Sequence, residues 1–263
     1  MKYFDAHCHI QFPMFDADRE ELARRMEEES YGGIVVGVDY DSSVQAVALA
    51  ETHPHLWAAV GLHPNYTQEQ DFDIEAFTEL AKHPKVVAIG ECGLDNYRPE
   101  HPEETKEKQR KVFRAHVDLA CALDKPLMIH ARPTQGTMDA YQELIHILKE
   151  YKEEQGDTLR GDIHFFVGGV EEARALVALG FTVSYTAVLT FTHDYDEVVR
   201  EVPLTSLLSE TDAPYVAPKD RRGTRNDPFV VRDVVRAMAQ IRGEDEEIVR
   251  EAVLENARRL FRL

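Results

Sequence analysis

Short runs of consecutive apolar residues alternate along this chain with longer segments in which apolar positions recur every three or four residues. A strand covered on both faces reads as an unbroken apolar run, and a helix packed on one side repeats every ~3.6 residues. The alternation therefore predicts repeated strand and crossover-helix units around a parallel sheet. Eight strands are expected, near residues 2–7, 33–38, 56–61, 85–90, 126–130, 161–165, 181–185 and 205–209. Helical period is clearest over 103–124, 136–154 and 227–258, the last divided into two helices at Gly243, because glycine interrupts helical patterns. A length of 263 residues without a Ser/Gly/Pro linker fits one (β/α)8 TIM-type barrel, of about 250 residues. The expectation is α/β: a single domain over 1–263, closed or somewhat distorted, with an extra C-terminal helix. The connection from Pro214 to Pro228, rich in Pro, Gly and charge, reads as a functional loop.

Composition narrows the setting. At 43% hydrophobic and 30% charged, the chain can fill a core, which excludes wholesale disorder. Its apolar runs are short and its amino terminus has no apolar signal segment, so neither membrane insertion nor secretion is expected and a cytoplasmic location follows. Cys8, Cys92 and Cys121 lack paired spacing and read as reduced thiols; strand alternation turns Cys8 and Cys92 away from their polar neighbours. A net charge of −18 disfavours broad coating of duplex DNA, which needs dense Lys and Arg. Much of the acidity lies in runs such as 19–29 and 242–251, where both signs alternate as on solvated helix faces.

Chemistry concentrates at strand ends. In Tyr3-Phe-Asp-Ala-His-Cys-His-Ile, alternation brings the imidazoles of His7 and His9 to one side, with Asp5 expected beside them. Glu91, His130, His164 and Asp212 each follow a later apolar run, and His63 leaves the third. A closed parallel barrel gathers all carboxyl strand ends on one rim, so six of these, His7, His9, Glu91, His130, His164 and Asp212, are candidate ligands for two divalent ions. His63 reads as support for that site or as a structural cap. His53, His55, His83, His101, His116, His146 and His193 fall in helices or connections and read as surface residues. Lys219, Arg221, Arg222 and Arg225 form a basic island after Asp212, and Arg132 lies two residues beyond His130, within reach of substrate phosphates.

Taken in order, Asp5-Ala-His7-Cys-His9, Gly61-Leu-His-Pro64, Gly90-Glu-Cys-Gly-Leu-Asp95, Ile129-His-Ala-Arg132, His164-Phe-Phe-Val-Gly168 and Glu210-Thr-Asp-Ala-Pro214 resemble the motifs of the TatD family of metal-dependent deoxyribonucleases. Arg222-Gly-Thr-Arg-Asn226 and Asn256 continue the likeness over nearly the whole chain. The resemblance implies that His7, His9 and Asp212 hold one ion, that Glu91 bridges to a second, and that His130 and His164 complete it. Val167 stands where the family usually carries Ser or Thr, which removes a hydroxyl from the rim.

Two divalent ions, Mg, Mn or Zn, can polarise a scissile group and lower the pKa of a water, with Asp212 orienting or deprotonating that water and Glu91 beside it. The expected activity is that of a metal-dependent hydrolase acting on ester bonds, foremost a deoxyribonuclease of single-stranded DNA or DNA ends, with Arg132, Arg222 and His63 contacting substrate. A metal-dependent ester or amide hydrolase, such as a D-aminoacyl-tRNA deacylase, is the alternative partner reading. A non-catalytic binding barrel is the third, and it predicts eroded ligands.

Overall fold

The computed structural model describes residues 1–97 and 103–263; His101 lies outside them. Strands β1 (Tyr3–Cys8), β2 (Tyr31–Val36), β3 (Leu56–Val60), β4 (Val86–Asp95), β5 (Leu127–Arg132), β6 (Gly161–His164), β7 (Phe181–Tyr185) and β8 (Leu207–Ser209) pair in parallel and in sequential order. Helices α1 (Arg19–Glu28), α2 (Tyr40–Thr52), α3 (Ile74–Ala81), α4 (Glu103–Ala122), α5 (Asp139–Gln155), α6 (Val170–Ala178) and α7 (Asp196–Glu201) follow the first seven strands in turn. After β8 come α8 (Val231–Arg242) and the additional α9 (Glu246–Phe261). The architecture is a nearly closed (β/α)8 barrel, as the apolar pattern implies. Gly243 ends α8 at φ +67°, its N–H bonded to Ala239 and Gln240 carbonyls, a conformation that costs glycine little.

Alternation along the strands creates two apolar layers. Phe4, Ala6, Ile34, Val36, Ala59, Ala88, Met128 and Leu208 fill the barrel, and Leu254, Ala257, Leu260 and Phe261 of α9 pack against them. Val35, Val60, Ile89, Ile129, Ile163 and Val183 belong to the second layer, beneath the helices. Full burial of side chains of this size stabilises by roughly 1.5–3 kcal/mol each, so α9 is an integral part of the core. Among the described residues, no helix is long and apolar enough to cross a membrane.

Two register shifts decide which side chains face the barrel mouth. Asp5 pairs with Gly33 but Cys8 with Val35, and Ile89 pairs with Leu127 but Cys92 with Ile129, so β1 carries one extra residue against β2 and β4 one against β5; near its start β4 carries another against β3, between Val86 and Ala88. Such a bulge re-aims the side chains around it. It leaves Asp5 and Cys8 on the same face while His7 and His9 point into the barrel. The alternation reading that put Asp5 beside the histidines is thereby corrected: period two fails across a bulge.

Asp5 instead secures the seam where the barrel closes. Between β8 and β1 the ladder shrinks to an isolated bridge, Cys8 to Ala213. The Asp5 carboxylate accepts from Thr211 N and Thr211 Oγ1, while Asp212 N donates to His7 O and His9 N to Ala213 O. These bonds tie the segment carrying Asp212 to the strand carrying His7 and His9. Asp212 itself sits at φ +53°, a left-handed conformation that Asp tolerates better than most residues and that recurs at functional sites.

Candidate metal centre

Six side chains from five strand ends meet at the barrel mouth. His7 Nε2 lies 3.0 Å from His9 Nε2, 3.5 Å from Glu91 Oε2 and 4.0 Å from Asp212 Oδ1. His9 Nε2 lies 3.8 Å from Glu91 Oε2 and 3.4 Å from Asp212 Oδ1. Donor atoms around a four-coordinate ion with bonds of about 2.0–2.2 Å stand about 3.3–3.6 Å apart, and this set brackets that spacing. The other oxygen of Glu91 faces a second set: Oε1 is 3.1 Å from His130 Nδ1 and 3.0 Å from His164 Nε2, which are 3.3 Å from each other. Nitrogen and oxygen donors at this spacing fit a divalent cation.

The outward-facing nitrogens of three of these imidazoles have partners of their own. His9 Nδ1 donates to Val36 O at 2.7 Å, His130 Nε2 meets Asp95 Oδ2 at 3.2 Å, and His164 Nδ1 meets Glu210 Oε2 at 3.3 Å. A ring that donates through one nitrogen presents the lone pair of the other, which is the arrangement that orients metal-binding imidazoles. His7 Nδ1 has no hydrogen-bond partner but lies 3.9 Å from the same Glu210 oxygen. His63 differs. Its Nδ1 accepts from Asn65 N at 3.1 Å, so the proton sits on Nε2, 3.2 Å from Glu91 Oε1. His63 thus both caps the turn Pro64–Tyr66 and donates toward Glu91, and this tautomer lacks the lone pair a metal would need.

Electrostatics keeps the carboxylates charged. Burial alone would raise the Glu91 carboxyl, but the neighbouring His63 and His164 and the hydrogen bonds of His130 and His164 outweigh it and hold it well below the usual range. Asp212 is likewise buried, yet its bond with His9 and the charges of His7 and His9 lower it. Burial disfavours a charged His164, whereas Glu91 and Glu210 raise it well above an ordinary imidazole. An acid-rich pocket that favours protonated imidazoles is one in which a divalent cation finds compensating charge.

The remaining candidates scatter more widely. Arg132 is exposed and, with Val167 and His63, lines a cavity of about 1240 Å³ above the cluster. Arg222 is not among the residues lining that mouth; its guanidinium lies 4.2 Å over the Phe191 ring. Arg221 pairs with Asp227 and Arg225 with Asp18, so half of the basic island is neutralised within the protein. Cys8 and Cys92 are buried free thiols, directed at the Ile34 and Met128 carbonyls rather than at the cluster. Two histidines contradict their surface reading: His55 is half-buried with both ring nitrogens enclosed, and His116 is fully buried, accepts from Leu62 N and donates to Val112 O. His116 lies on the apolar stripe of α4 with Val112, Phe113, Val117 and Ala120, where a satisfied imidazole is tolerated.

Three buried carboxylates escape a reading based on single motifs. Asp95 reaches the mouth because β4 continues five residues beyond the expected end, placing it two positions from Gly93 and four from Glu91 on one face. Glu210 is completely buried under His7 and His164; its signal is an acidic residue directly after the apolar β8. Ser184 Oγ lies 2.6 Å from Asp162 Oδ2 and 3.0 Å from Glu210 Oε1. Burial, then Glu210, push the Asp162 carboxyl up to about 7 against the bonds from Ser184 and Thr182.

Comparison with known proteins places this geometry in a wider group. A family model described as TatD related DNase matches residues 4–262. The chain is 36% identical over 267 aligned residues to a Bacillus subtilis protein named uncharacterized metal-dependent hydrolase YabD, covering 99% of each. It is 33% identical to a Pectobacterium parmentieri protein named 3'-5' ssDNA/RNA exonuclease TatD, again covering 99% of each. Among solved structures, it resembles the Escherichia coli K12 TatD homolog YjjV with a TM-score of 0.88 and 28% identity, over 100% of this chain and 98% of that one.

Proposed function

The chain belongs to the TatD related DNase family of metal-dependent hydrolases, and from that premise we propose that it is a two-metal phosphodiesterase trimming ends of single-stranded DNA. One observation carries the reading: the two oxygens of Glu91 face two different sets of imidazoles, His7 with His9 and His130 with His164. In this reading His7, His9, Asp212 and Glu91 would hold one divalent ion, and Glu91, His130 and His164 would hold the other, whether Mg, Mn or Zn. Such ions, when bound, polarise phosphoryl oxygens and lower the pKa of water.

The chain's own groups do the rest. Asp212, kept ionised beside His9, takes a proton from the attacking water as its oxygen bonds to phosphorus, and returns a proton to the departing oxygen as the P–O bond breaks. His63 Nε2–H holds Glu91 in place. Asp95 and Glu210 fix the rings of His130 and His164, and the Thr211–Asp5 bonds fix Asp212. A net charge of −18 works against a duplex lying across the surface, which favours a strand end entering the mouth. The test is end-labelled single-stranded DNA with Mg²⁺ or Mn²⁺: a ladder from one end is expected, slowed about 100-fold or more in Asp212→Asn, the low end of a general base's worth. An intact substrate with metal-loaded protein, alongside turnover of an aminoacyl ester, contradicts the proposal.

A further inference from the structure

A polyanionic strand is usually held through its phosphates, yet the mouth of this barrel is poor in cations. Among the described residues lining it, Arg132 is the one Lys or Arg; Glu69 faces it as a carboxylate, Asp95 pairs with His130, and Glu91 and Asp212 would be taken up by the ions. The nearby basic loop does not compensate, since Arg221 and Arg225 are paired with carboxylates and Arg222 covers Phe191. What the mouth does offer is aromatic surface. Tyr66, Tyr97 and Tyr215 line it with 37%, 43% and 51% of their surface exposed, and rings grouped around one mouth, unlike singly exposed ones, mark a site of contact. Two of them flank the cluster: the Tyr215 ring is 6.5 Å from that of the candidate ligand His9, and the Tyr66 ring 6.2 Å from that of His63, which donates toward Glu91. Arg132 Cζ lies 3.8 Å from the Tyr97 centroid and makes no ion pair among the described residues, so its guanidinium serves as a stacking plane.

Resting on the phosphodiesterase reading above, we propose that the strand is gripped by its bases rather than its phosphates. Tyr66, Tyr97, Tyr215 and the Arg132 guanidinium take unpaired nucleobases flanking the scissile bond. Stacking accepts every base, since each has a π-face, and needs no cation on the protein. It also selects against duplex, whose bases are already stacked on one another, and so supplies single-strand preference without a basic groove.

The experiment compares an end-labelled oligonucleotide with one of equal length whose terminal nucleotides are abasic. It uses wild type, Tyr97→Ala, Tyr97→Phe and Tyr215→Ala, between 50 and 200 mM KCl. The wild type is expected to show a KM for the abasic strand about tenfold or more higher, as loss of stacked bases implies. Tyr97→Ala and Tyr215→Ala should raise KM on the ordinary strand and leave the abasic one unchanged, with Tyr97→Phe like wild type. One phosphate contact gives a loss in kcat/KM of about threefold across the salt range, whereas four give about 50-fold; the former is expected. Equal KM on the two strands, or the steep salt loss, overturns base gripping while leaving the phosphodiesterase reading intact. Cleavage of neither strand by wild type overturns that reading, and base gripping with it.

Discussion

Replacing His116 by Gln removes a proton-sensitive group from the interface between α4 and the loop that carries His63. The imidazole is fully buried, stacks on Phe72 at 3.9 Å, donates through Nδ1 to Val112 O at 2.8 Å and accepts through Nε2 from Leu62 N at 3.0 Å. A proton on Nε2 would confront the Leu62 N–H, and burial, opposed by the Val112 bond, lowers the His116 pKa to about 4. In the unfolded chain an imidazole titrates near ~6.5. The folded pKa is the lower one, so the unfolded chain takes up the proton first. His116 therefore contributes stability that is present above about pH 6.5 and lost as pH falls toward 4. Between pH 7.5 and 5 the linkage is worth about 2 kcal/mol. Urea denaturation of chelator-treated protein at both pH values is the assay, and the difference between wild type and variant isolates His116 from the other buried imidazoles. Gln can retain the acceptor toward Leu62 but cannot be protonated, so its curve should fall less by about that amount. Parallel pH dependences for the two proteins would refute the reasoning.

Three further outcomes follow from the site. Asp212→Asn should lower kcat by roughly 10²–10⁴-fold, the usual worth of a general base, with little change in KM under steady-state assay. Asp95→Asn should weaken the cation site on the His130 side by about 10–100-fold, measured by calorimetric titration with Mn²⁺ or Zn²⁺, while the His7 and His9 side changes little. Because Glu91 and Glu210 overcome burial to keep His164 protonated well above the ordinary imidazole range, a cation must displace that proton. Affinity in the same titration should therefore fall as pH is lowered from 8 to 6, and an unchanged affinity would argue against His164 as a ligand.

Short apolar runs place the strands, because a parallel strand covered on both faces has no other way to be written. The divided helix at the carboxyl end is equally plain from Gly243. What period two could not show is the extra residue in β1 and in β4. A bulge is a local event with no hydrophobic signature, and it moved Asp5 out of the mouth and into the β8–β1 seam. The reach of β4 to Asp95 was hidden because its last residues, Gly93 to Asp95, break the apolar run. His116 shows the opposite case: its position between Val112, Phe113 and Val117, Ala120 marks a buried stripe, but residue type alone suggested the surface. The six candidate ligands are legible because each stands at or just beyond the end of a short apolar run, whereas Arg222 could not be placed, since a long Pro- and Gly-rich loop leaves its direction to tertiary contacts.

The proposed chemistry needs a pair of cations sharing Glu91, and elemental analysis of metal-saturated, desalted protein addresses that most directly. Wild type should carry two divalent ions per chain, with His130→Ala retaining one. A single ion in wild type, or two ions undiminished in Glu91→Gln, would contradict the shared site.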